Sequence, residues 1–159
     1  MDLPTITAAT VFSMFMNSAK SGDYYYNADV ENNTVYSMTV YDNSTNYLVA
    51  KVKYDYTYDA QERLTCKEAY KWNADMQDWA KNYKLEYTYM NDGYTLERSE
   101  WNATKGEYEA PSEKSIYKNE LNNLSSIVKF ERDNDKKDLV MTDRMLVMSP
   151  LNDLLIAEK

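Results

Sequence analysis

The chain contains no histidine, and only one cysteine, three glycines and three prolines occur among its 159 residues. Without histidine, Ser/His and Cys/His nucleophilic sites, histidine general bases and nearly every catalytic zinc arrangement are excluded. The one thiol, Cys66, excludes an intrachain disulfide, and its place in an alternating apolar pattern predicts a buried strand residue rather than a nucleophile. These absences favour a protein that is not an enzyme and that carries neither cofactor nor metal.

Basic charge and long apolar runs are also scarce. The formal net charge of -8 argues against a nucleic-acid partner, because polyphosphate binding needs a basic surface. No apolar run approaches the roughly 18 residues of a membrane span. The N-terminal stretch lacks the basic region of a signal peptide, so an exported form would have lost its leader.

Tyrosine, with 16 copies, is what the chain has in abundance, and it recurs with a period. Tyr56 returns as Tyr87 after 31 residues, and Trp72 returns as Trp101 after 29. A period of this length indicates one supersecondary unit used more than once. Tyr117 and Phe130 mark a third, eroded copy, so the units lie near 54–82, 83–112 and 113–139.

Alternating apolar and polar residues predict strands through most of the chain. Asn32-Asn33 and Asn91-Asp92-Gly93 are typical of tight hairpin turns. Because no helical pattern lies between the strands, the sheet is expected to be antiparallel. We predict a mainly β fold in a single domain, residues 1–159, with an antiparallel meander of about eight strands over 24–148.

One helix is predicted at each end of the chain. Residues 5–20 form the first, with Thr5 as its cap, and residues 150–158 form a short second one behind Ser149-Pro150. Eight strands make a sheet about 38 Å wide, whereas a 16-residue helix is about 24 Å long. The remainder of the sheet is expected to curl as an open sheet or half-barrel, to pair with another sheet or subunit as a homo-oligomer, or to stay partly exposed behind the tyrosine hydroxyls.

The stretch from Tyr58 to Trp79, YDAQERL followed by KEAYKWN and the second tryptophan, resembles an uncharacterised family of secreted Bacteroidetes proteins built of Tyr/Trp-rich hairpin repeats. Its Tyr-Asp-x-x-Gly-Arg-Leu core is also similar to the YD repeats of Rhs-type wall proteins. The resemblance implies an exported β-repeat protein, secreted, periplasmic or on the cell surface, with no assigned activity. Glu62 replaces the glycine of that pattern, which predicts a different turn in the first unit, whereas Gly93 restores it in the second.

Two functions from different classes remain open, besides a self-associating scaffold. One is a non-catalytic module whose aromatic face stacks on sugar rings or packs on a protein, unless those rings are simply core. The other is a carboxylate-dependent hydrolase using Glu68 and Glu100. The Asp133–Asp138 stretch resembles half of a calcium loop but lacks its glycine and closing glutamate. The predicted aromatic face comprises Tyr54, Tyr56, Tyr70, Trp72, Trp79, Tyr87, Trp101 and Tyr108.

Overall fold

The structure, a computed structural model, describes residues 6–18, 23–43, 47–121, 123–133, 135 and 137–148. They form one helix and ten strands. The elements are α1 (Ala8–Ser18), β1 (Tyr24–Glu31), β2 (Thr34–Asp42), β3 (Val49–Tyr58), β4 (Leu64–Asn73), β5 (Asp78–Met90), β6 (Gly93–Asn102), β7 (Glu107–Tyr108), β8 (Glu113–Leu121), β9 (Leu124–Arg132) and β10 (Leu139–Met148).

The strands form one antiparallel sheet in which neighbours in sequence are neighbours in space. The order is β1-β2-β3-β4-β5-β6-β8-β9-β10, and the two-residue β7 pairs with the end of β6. The sheet is open, with β1 and β10 at its edges. The predicted open antiparallel meander is therefore confirmed.

Pro111 lies where the chain passes from β7 to β8, both of which pair with β6. The amides of Glu109 and Ser112 donate to Glu100 and Arg98, at 2.9 and 2.8 Å, so three residues on one side span two on the other. Proline, which has no amide N–H to donate, therefore stands in the break between β7 and β8 and not within a ladder.

The helix α1 is shorter than predicted and lies across only part of the sheet. Its 11 residues are about 16 Å long, while nine adjoining strands extend over about 43 Å. Thr7 caps it, since its Oγ1 accepts from the amide of Thr10 at 3.3 Å. The predicted cap Thr5 and the predicted helix 150–158 lie outside the described residues. Among the described residues, α1 is the one helix, and it does not have the length or the apolar composition of a membrane span.

The residues before α1 are fastened to the turn between β3 and β4. The amide of Ala8 donates to the Glu62 carbonyl at 2.9 Å, and the amide of Leu64 donates to the Ile6 carbonyl at 2.7 Å. The Tyr89 hydroxyl lies 3.2 Å from that Ile6 carbonyl and 2.8 Å from the Leu64 carbonyl. The helix is thereby held over the sheet, where a core of Val11, Val35, Tyr56 and Leu64 is buried.

We call the face of the sheet under α1 the inner face and the opposite one the outer face. A β-bulge at Thr65 changes which residues of β4 belong to each. Tyr58 pairs with Leu64 and Thr57 pairs with Cys66, which leaves Thr65 without a partner in the ladder. Since directly paired residues share a face, Leu64 lies on the inner face and Cys66 on the outer one. Regular alternation along the sequence predicts one shared face for Leu64, Cys66, Tyr70 and Trp72, and the bulge makes this prediction wrong.

A second bulge, at Asn82, likewise changes which residues of β5 lie on each face of the sheet. Ala69 pairs with Tyr83 and Tyr70 pairs with Lys81, so Asn82 is the extra residue. Tyr83, Leu85, Tyr87 and Tyr89 consequently lie on the inner face, whereas Trp79 lies on the outer face opposite Trp72. Odd-numbered residues of one strand thus lie on both faces.

Three hairpin turns share one geometry. In each, an Asn or Asp oxygen accepts from the amide two residues later, at 2.9–3.0 Å. The fifth residue of each turn has a positive φ, between 52° and 69°. The three capping residues are Asn73, Asn102 and Asp133, and the fifth residues are Gln77, Gly106 and Lys137. The proposed division into three sequence units stays a prediction, but their long turns are built alike.

The turn between β3 and β4 explains the Tyr-Asp-x-x-x-Arg-Leu motif. Asp59 Oδ1 accepts from the amides of Gln61 and Arg63, at 2.9 and 3.0 Å, while Arg63 Nε donates to Oδ2 at 2.8 Å. Desolvation would raise the pKa of Asp59, but the Arg63 and backbone hydrogen bonds outweigh it and hold this pKa below its usual value. Glu62 takes a φ of 58°. The expectation that Glu62 forces a different turn is therefore wrong, because the residue accepts the left-handed conformation.

Gly93 has another role. It does not have a positive φ. A Cβ at this position would lie 1.9 Å from the Tyr117 carbonyl oxygen, so the absence of a side chain lets β8 approach β6.

Candidate functional site

The eight aromatic residues predicted to form a binding face lie on two faces of the sheet. Tyr54, Tyr56 and Tyr87 are on the inner face, where they pack with the core beneath α1. The other five are on the outer face. We call these five the outer aromatic cluster: Tyr70, Trp72, Trp79, Trp101 and Tyr108.

The three inner tyrosines belong to the core. Tyr56 is only 8% exposed, and burial raises its pKa above the ordinary value. Burial also raises the pKa of Tyr87 to about 12. These phenols are therefore protonated at neutral pH. On the inner face, the three rings are part of the core rather than an open binding surface.

Four of the five rings of the outer aromatic cluster form two edge-to-face pairs. Trp72 and Trp79 are directly paired across β4 and β5, with ring centroids 5.2 Å apart and planes at 69°. Trp101 and Tyr108 repeat the arrangement across β6 and β7, at 5.0 Å and 73°. In each pair, one ring lies just before an Asn-capped turn and the other lies just after it. The sequence repeat therefore produces two copies of one aromatic corner.

Lysine side chains and one carboxylate connect the aromatic rings. Lys81 Nζ lies 4.9 Å from the Trp101 centroid and 5.3 Å from that of Tyr108. The same Nζ is 3.5 Å from Glu68 Oε1, which also accepts from the Tyr108 hydroxyl at 2.9 Å. Tyr70 donates to the other oxygen of Glu68 at 3.4 Å. Burial first, and then these contacts to Glu68, raise the pKa of both tyrosines above the ordinary value.

The indole N–H groups of this cluster are unused. All five rings are partly exposed. Within the described part of the chain, none of the three tryptophans donates a side-chain hydrogen bond to protein, and no buried side-chain donor is left unsatisfied. The donors therefore have access to solvent or to a ligand.

A polar cleft begins beside the cluster. It has a volume of about 380 Å³ and lies where the chain passes from β7 to β8. Arg132 forms part of it and donates to the Pro111 carbonyl at 3.0 Å through Nε. The cleft has charged groups of both signs. Its lining includes Tyr108, Glu100, Glu107, Glu109, Arg132 and Lys137.

The carboxylates of the hydrolase alternative are not brought together. Glu68 pairs with Lys84 on the outer face, whereas Glu100 pairs with Tyr83 on the inner face. Glu100 is instead bound by Arg98 at 2.6 Å. The two carboxylates therefore do not face each other from neighbouring strands, as a catalytic pair acting on one glycosidic bond would.

The acidic turn near Asp133 serves as a backbone cap. Asp133 Oδ1 accepts from the amide of Asp135 at 2.9 Å, and the Asp133 carbonyl accepts from Lys137. Among the described residues, no three His, Cys, Asp or Glu side chains gather in a way that could hold a metal ion.

The lysines of the outer aromatic cluster are the residues that sequence reasoning missed. Lys53, Lys81 and Lys84 each place Nζ within 5.3 Å of a cluster ring. Their only sequence signal is that they occupy strand positions facing solvent. Cys66 lies on the same face, partly buried, and burial with neighbouring carboxylates raises its thiol pKa to about 11.

Comparison with known proteins gives a family but no activity. No curated protein matches the chain. A crystal structure of a protein from Bacteroides vulgatus, which is described as a DUF3836 family protein, is similar to this chain. The two share 37% identity over 55% of this chain and 89% of the other, with a TM-score of 0.52. A protein of unknown function from Bacteroides fragilis has a similar fold, at 22% identity over 85% of this chain and 96% of its own, with a TM-score of 0.68. The family model for DUF3836, a family of unknown function, matches residues 3–119, and the chain belongs to that family.

Proposed function

We propose that the protein is a non-catalytic, exported binding module that holds a glycan on its outer aromatic cluster. Export is proposed from the family resemblance, as secretion or release into the periplasm. The observation that carries the binding role is that three partly exposed indole rings with free N–H groups lie together on the face that α1 leaves open.

The chemistry of the cluster suits sugar rings. The faces of aromatic rings carry negative charge density and attract the C–H edges of a pyranose, while N–H groups donate to its hydroxyls. The adjoining polar cleft supplies both acceptors and cations for further hydroxyls. A membrane of anionic lipid or a nucleic acid would instead be repelled by the net charge of -8.

A glycan array followed by tryptophan fluorescence titration tests this function. We expect saturable quenching of the wild-type protein by an array-positive sugar, and at least about tenfold weaker binding by Trp101→Ala, in line with a central aromatic contact worth about 1.4 kcal/mol or more. Tyr25→Ala is the matched control, since Tyr25 is a 52% exposed aromatic on the outer face of the distant strand β1. No array signal and no quenching at millimolar sugar would disprove glycan binding. If Trp101→Ala binds the sugar as tightly as the wild-type protein, the outer aromatic cluster is not the glycan-binding site.

The strand β10 favours a second candidate, a scaffold that self-associates. This edge strand exposes large apolar side chains from both faces, with Met141 and Leu146 at 58% and 57% on the outer face and Met145 and Val147 at 47% and 42% on the inner face. An exposed apolar edge is a template for pairing with another strand, here that of a second copy.

Sedimentation at several protein concentrations tests self-association. We expect a concentration-dependent dimer that Leu146→Lys abolishes, because a charge on an edge strand opposes strand addition. Met76→Lys is a suitable control, since Met76 is 75% exposed in a turn far from β10. A strictly monomeric wild-type protein would reject the scaffold.

A further inference from the structure

We infer that the cavity between α1 and the inner face of the sheet is a binding site for a small apolar carboxylate, whose head group pairs with the Lys67 ammonium. This site is separate from the outer aromatic cluster. The cavity has a volume of about 240 Å³. Met14 lines it and is 58% exposed, so the cavity reaches solvent along the last turns of α1.

The walls of the cavity are apolar. Val11 and Phe15 contribute from α1, and Met38 and Leu64 contribute from the sheet. Val11 and Leu64 are almost fully buried, at 6% and 2% exposed, so the floor of the cavity is part of the core. An apolar ligand would gain free energy there by leaving water.

Lys67 places a cation in this apolar setting. It pairs with Tyr56 on one side and with Leu85 on the other, both on the inner face. Its Nζ lies 3.9 Å from the Tyr54 ring centroid and 5.8 Å from that of Tyr56. Burial lowers the pKa of Lys67, as expected for an ammonium that is removed from water.

No carboxylate among the described residues forms an ion pair with the Lys67 ammonium. Lys53, Lys84 and Lys114 each have an Asp or Glu oxygen within 3.1 Å. The Lys67 ammonium instead lies near two tyrosine rings and forms no ion pair with any described residue. A partly buried cation that has aromatic contacts but no anion would be stabilised by an anionic ligand. Tyr56 and Tyr87 also line the cavity, and both are protonated at neutral pH because burial raises their pKa. Their hydroxyls are hydrogen-bond donors of the right sign for a carboxylate.

The volume limits the size of the ligand. At the roughly 30 Å³ that one water molecule occupies in the liquid, the cavity holds on the order of eight water-sized groups. A carboxylate with about eight non-hydrogen atoms, such as hexanoate, matches this volume. A long-chain fatty acid would have to leave most of its tail outside.

Ligand-observed NMR of the full chain with hexanoate, hexanol and hexylamine provides the test. The three probes share their alkyl chain and differ in head-group charge. We expect saturation transfer to hexanoate, at least tenfold weaker binding of hexanol and no binding of hexylamine. Equal affinity for hexanoate and hexanol, or no transfer to hexanoate, would overturn the inference.

Two lysine variants check the assignment of the ammonium. Lys67→Met keeps the aliphatic stem and removes the charge, so it should fold, as circular dichroism would show, and lose at least tenfold in hexanoate affinity. Lys71→Met is the matched control, because Lys71 is an exposed lysine on the same strand and face outside the cavity. Trp101→Ala should leave hexanoate binding unchanged, which separates this site from the outer aromatic cluster. Hexanoate binding by Lys67→Met at the wild-type affinity would reject the role of Lys67.

Discussion

Leu64 and Cys66 are separated by one residue in β4, yet their side chains lie on opposite faces of the sheet. The bulge at Thr65 causes this, since Leu64 pairs with Tyr58 while Cys66 pairs with Thr57. Leu64 is thereby buried under α1, at 2% exposed. The rest of β4 can then direct Glu68, Tyr70 and Trp72 to the outer face. There Glu68 contacts Lys81 and Tyr108, and Trp72 packs against Trp79. One unpaired residue thus allows the same strand to serve the core and the candidate site.

Gly93→Ala should destabilise the protein strongly. The new Cβ would lie 1.9 Å from a backbone oxygen of β8, which cannot move without breaking the β6–β8 ladder. We expect a loss of about 3 kcal/mol in the free energy of unfolding, at the upper end of overpacking effects, measured by urea denaturation. Gly106→Ala is the control. Its Cβ would meet nothing within 4 Å, so only the φ of 69° opposes it, at about 1 kcal/mol. A smaller loss for Gly93→Ala than for Gly106→Ala would contradict the close approach.

Glu62→Gly should stabilise the protein. Glu62 has a φ of 58°, a conformation that costs a non-glycine residue about 1 kcal/mol or more. Glycine removes this cost but adds freedom to the unfolded chain, so a net gain of about 0.5 kcal/mol is expected. The urea midpoint would rise with an unchanged slope. Gln61→Gly, at the exposed neighbouring position without a positive φ, should show no gain. An equal effect of the two variants would refute the strain at Glu62.

Tyr89→Phe should loosen α1 without disturbing the sheet. The Tyr89 hydroxyl is within hydrogen-bond distance of two carbonyl oxygens, those of Ile6 and Leu64. Its removal is expected to cost about 1 kcal/mol and to speed hydrogen exchange at the amides of Ala8 and Leu64, whose bonds join the two segments. Tyr117→Phe is the matched control, because Tyr117 stacks on Tyr94 at 4.6 Å and its hydroxyl bonds no described residue. Unchanged exchange in Tyr89→Phe would show that the hydroxyl does not hold the helix.

The protein should lose stability between pH 10 and pH 12. Burial, followed by the neighbouring Tyr117 and Tyr89, raises the pKa of Tyr94 to about 12, while an unfolded tyrosine titrates near 10. Its contribution is therefore complete below pH 10 and is lost as the pH rises to 12, at about 1.4 kcal/mol per pH unit. Urea denaturation at a series of pH values measures the slope. In Tyr94→Phe the slope should be shallower by about that amount, and an identical slope would exclude Tyr94 as a contributor.

The positions of the turns were predictable, although the conformations of Glu62 and Gly93 were not. Asn32 and Asn33 were expected to tolerate positive φ, and their φ values are 49° and 61°. Asn and Asp carry this information locally, because their side chains accept bonds from nearby amides and tolerate the left-handed region. The meander follows from short turns between alternating segments, so the fold class was predictable as well.

The composition of each face was not predictable. Alternation assigns faces only while the ladder is regular, and the bulges at Thr65 and Asn82 each reverse the assignment for the rest of the strand. Neither residue is a glycine, and neither has a positive φ. Such bulges depend on which pairing lets both faces pack well, a property of the whole sheet. The outer aromatic cluster could therefore be foreseen as a set of rings, but its separation from Tyr54, Tyr56 and Tyr87 could not.

Because every long strand pairs with its neighbours in sequence, the sheet behaves as a one-dimensional array of hairpins. A strand leaving the ribosome finds its partner in the strand made just before it, so the sheet can assemble in the order of synthesis with few long loop closures. With this connectivity, removal of one hairpin is expected to leave the pairing of the others unchanged. Local stability is also expected to differ between the strands of the array. Among the described residues, β10 pairs with β9 alone and contributes nothing to the buried core under α1. Opening is expected to begin at β10 and to spread one strand at a time toward the strands held by the helix.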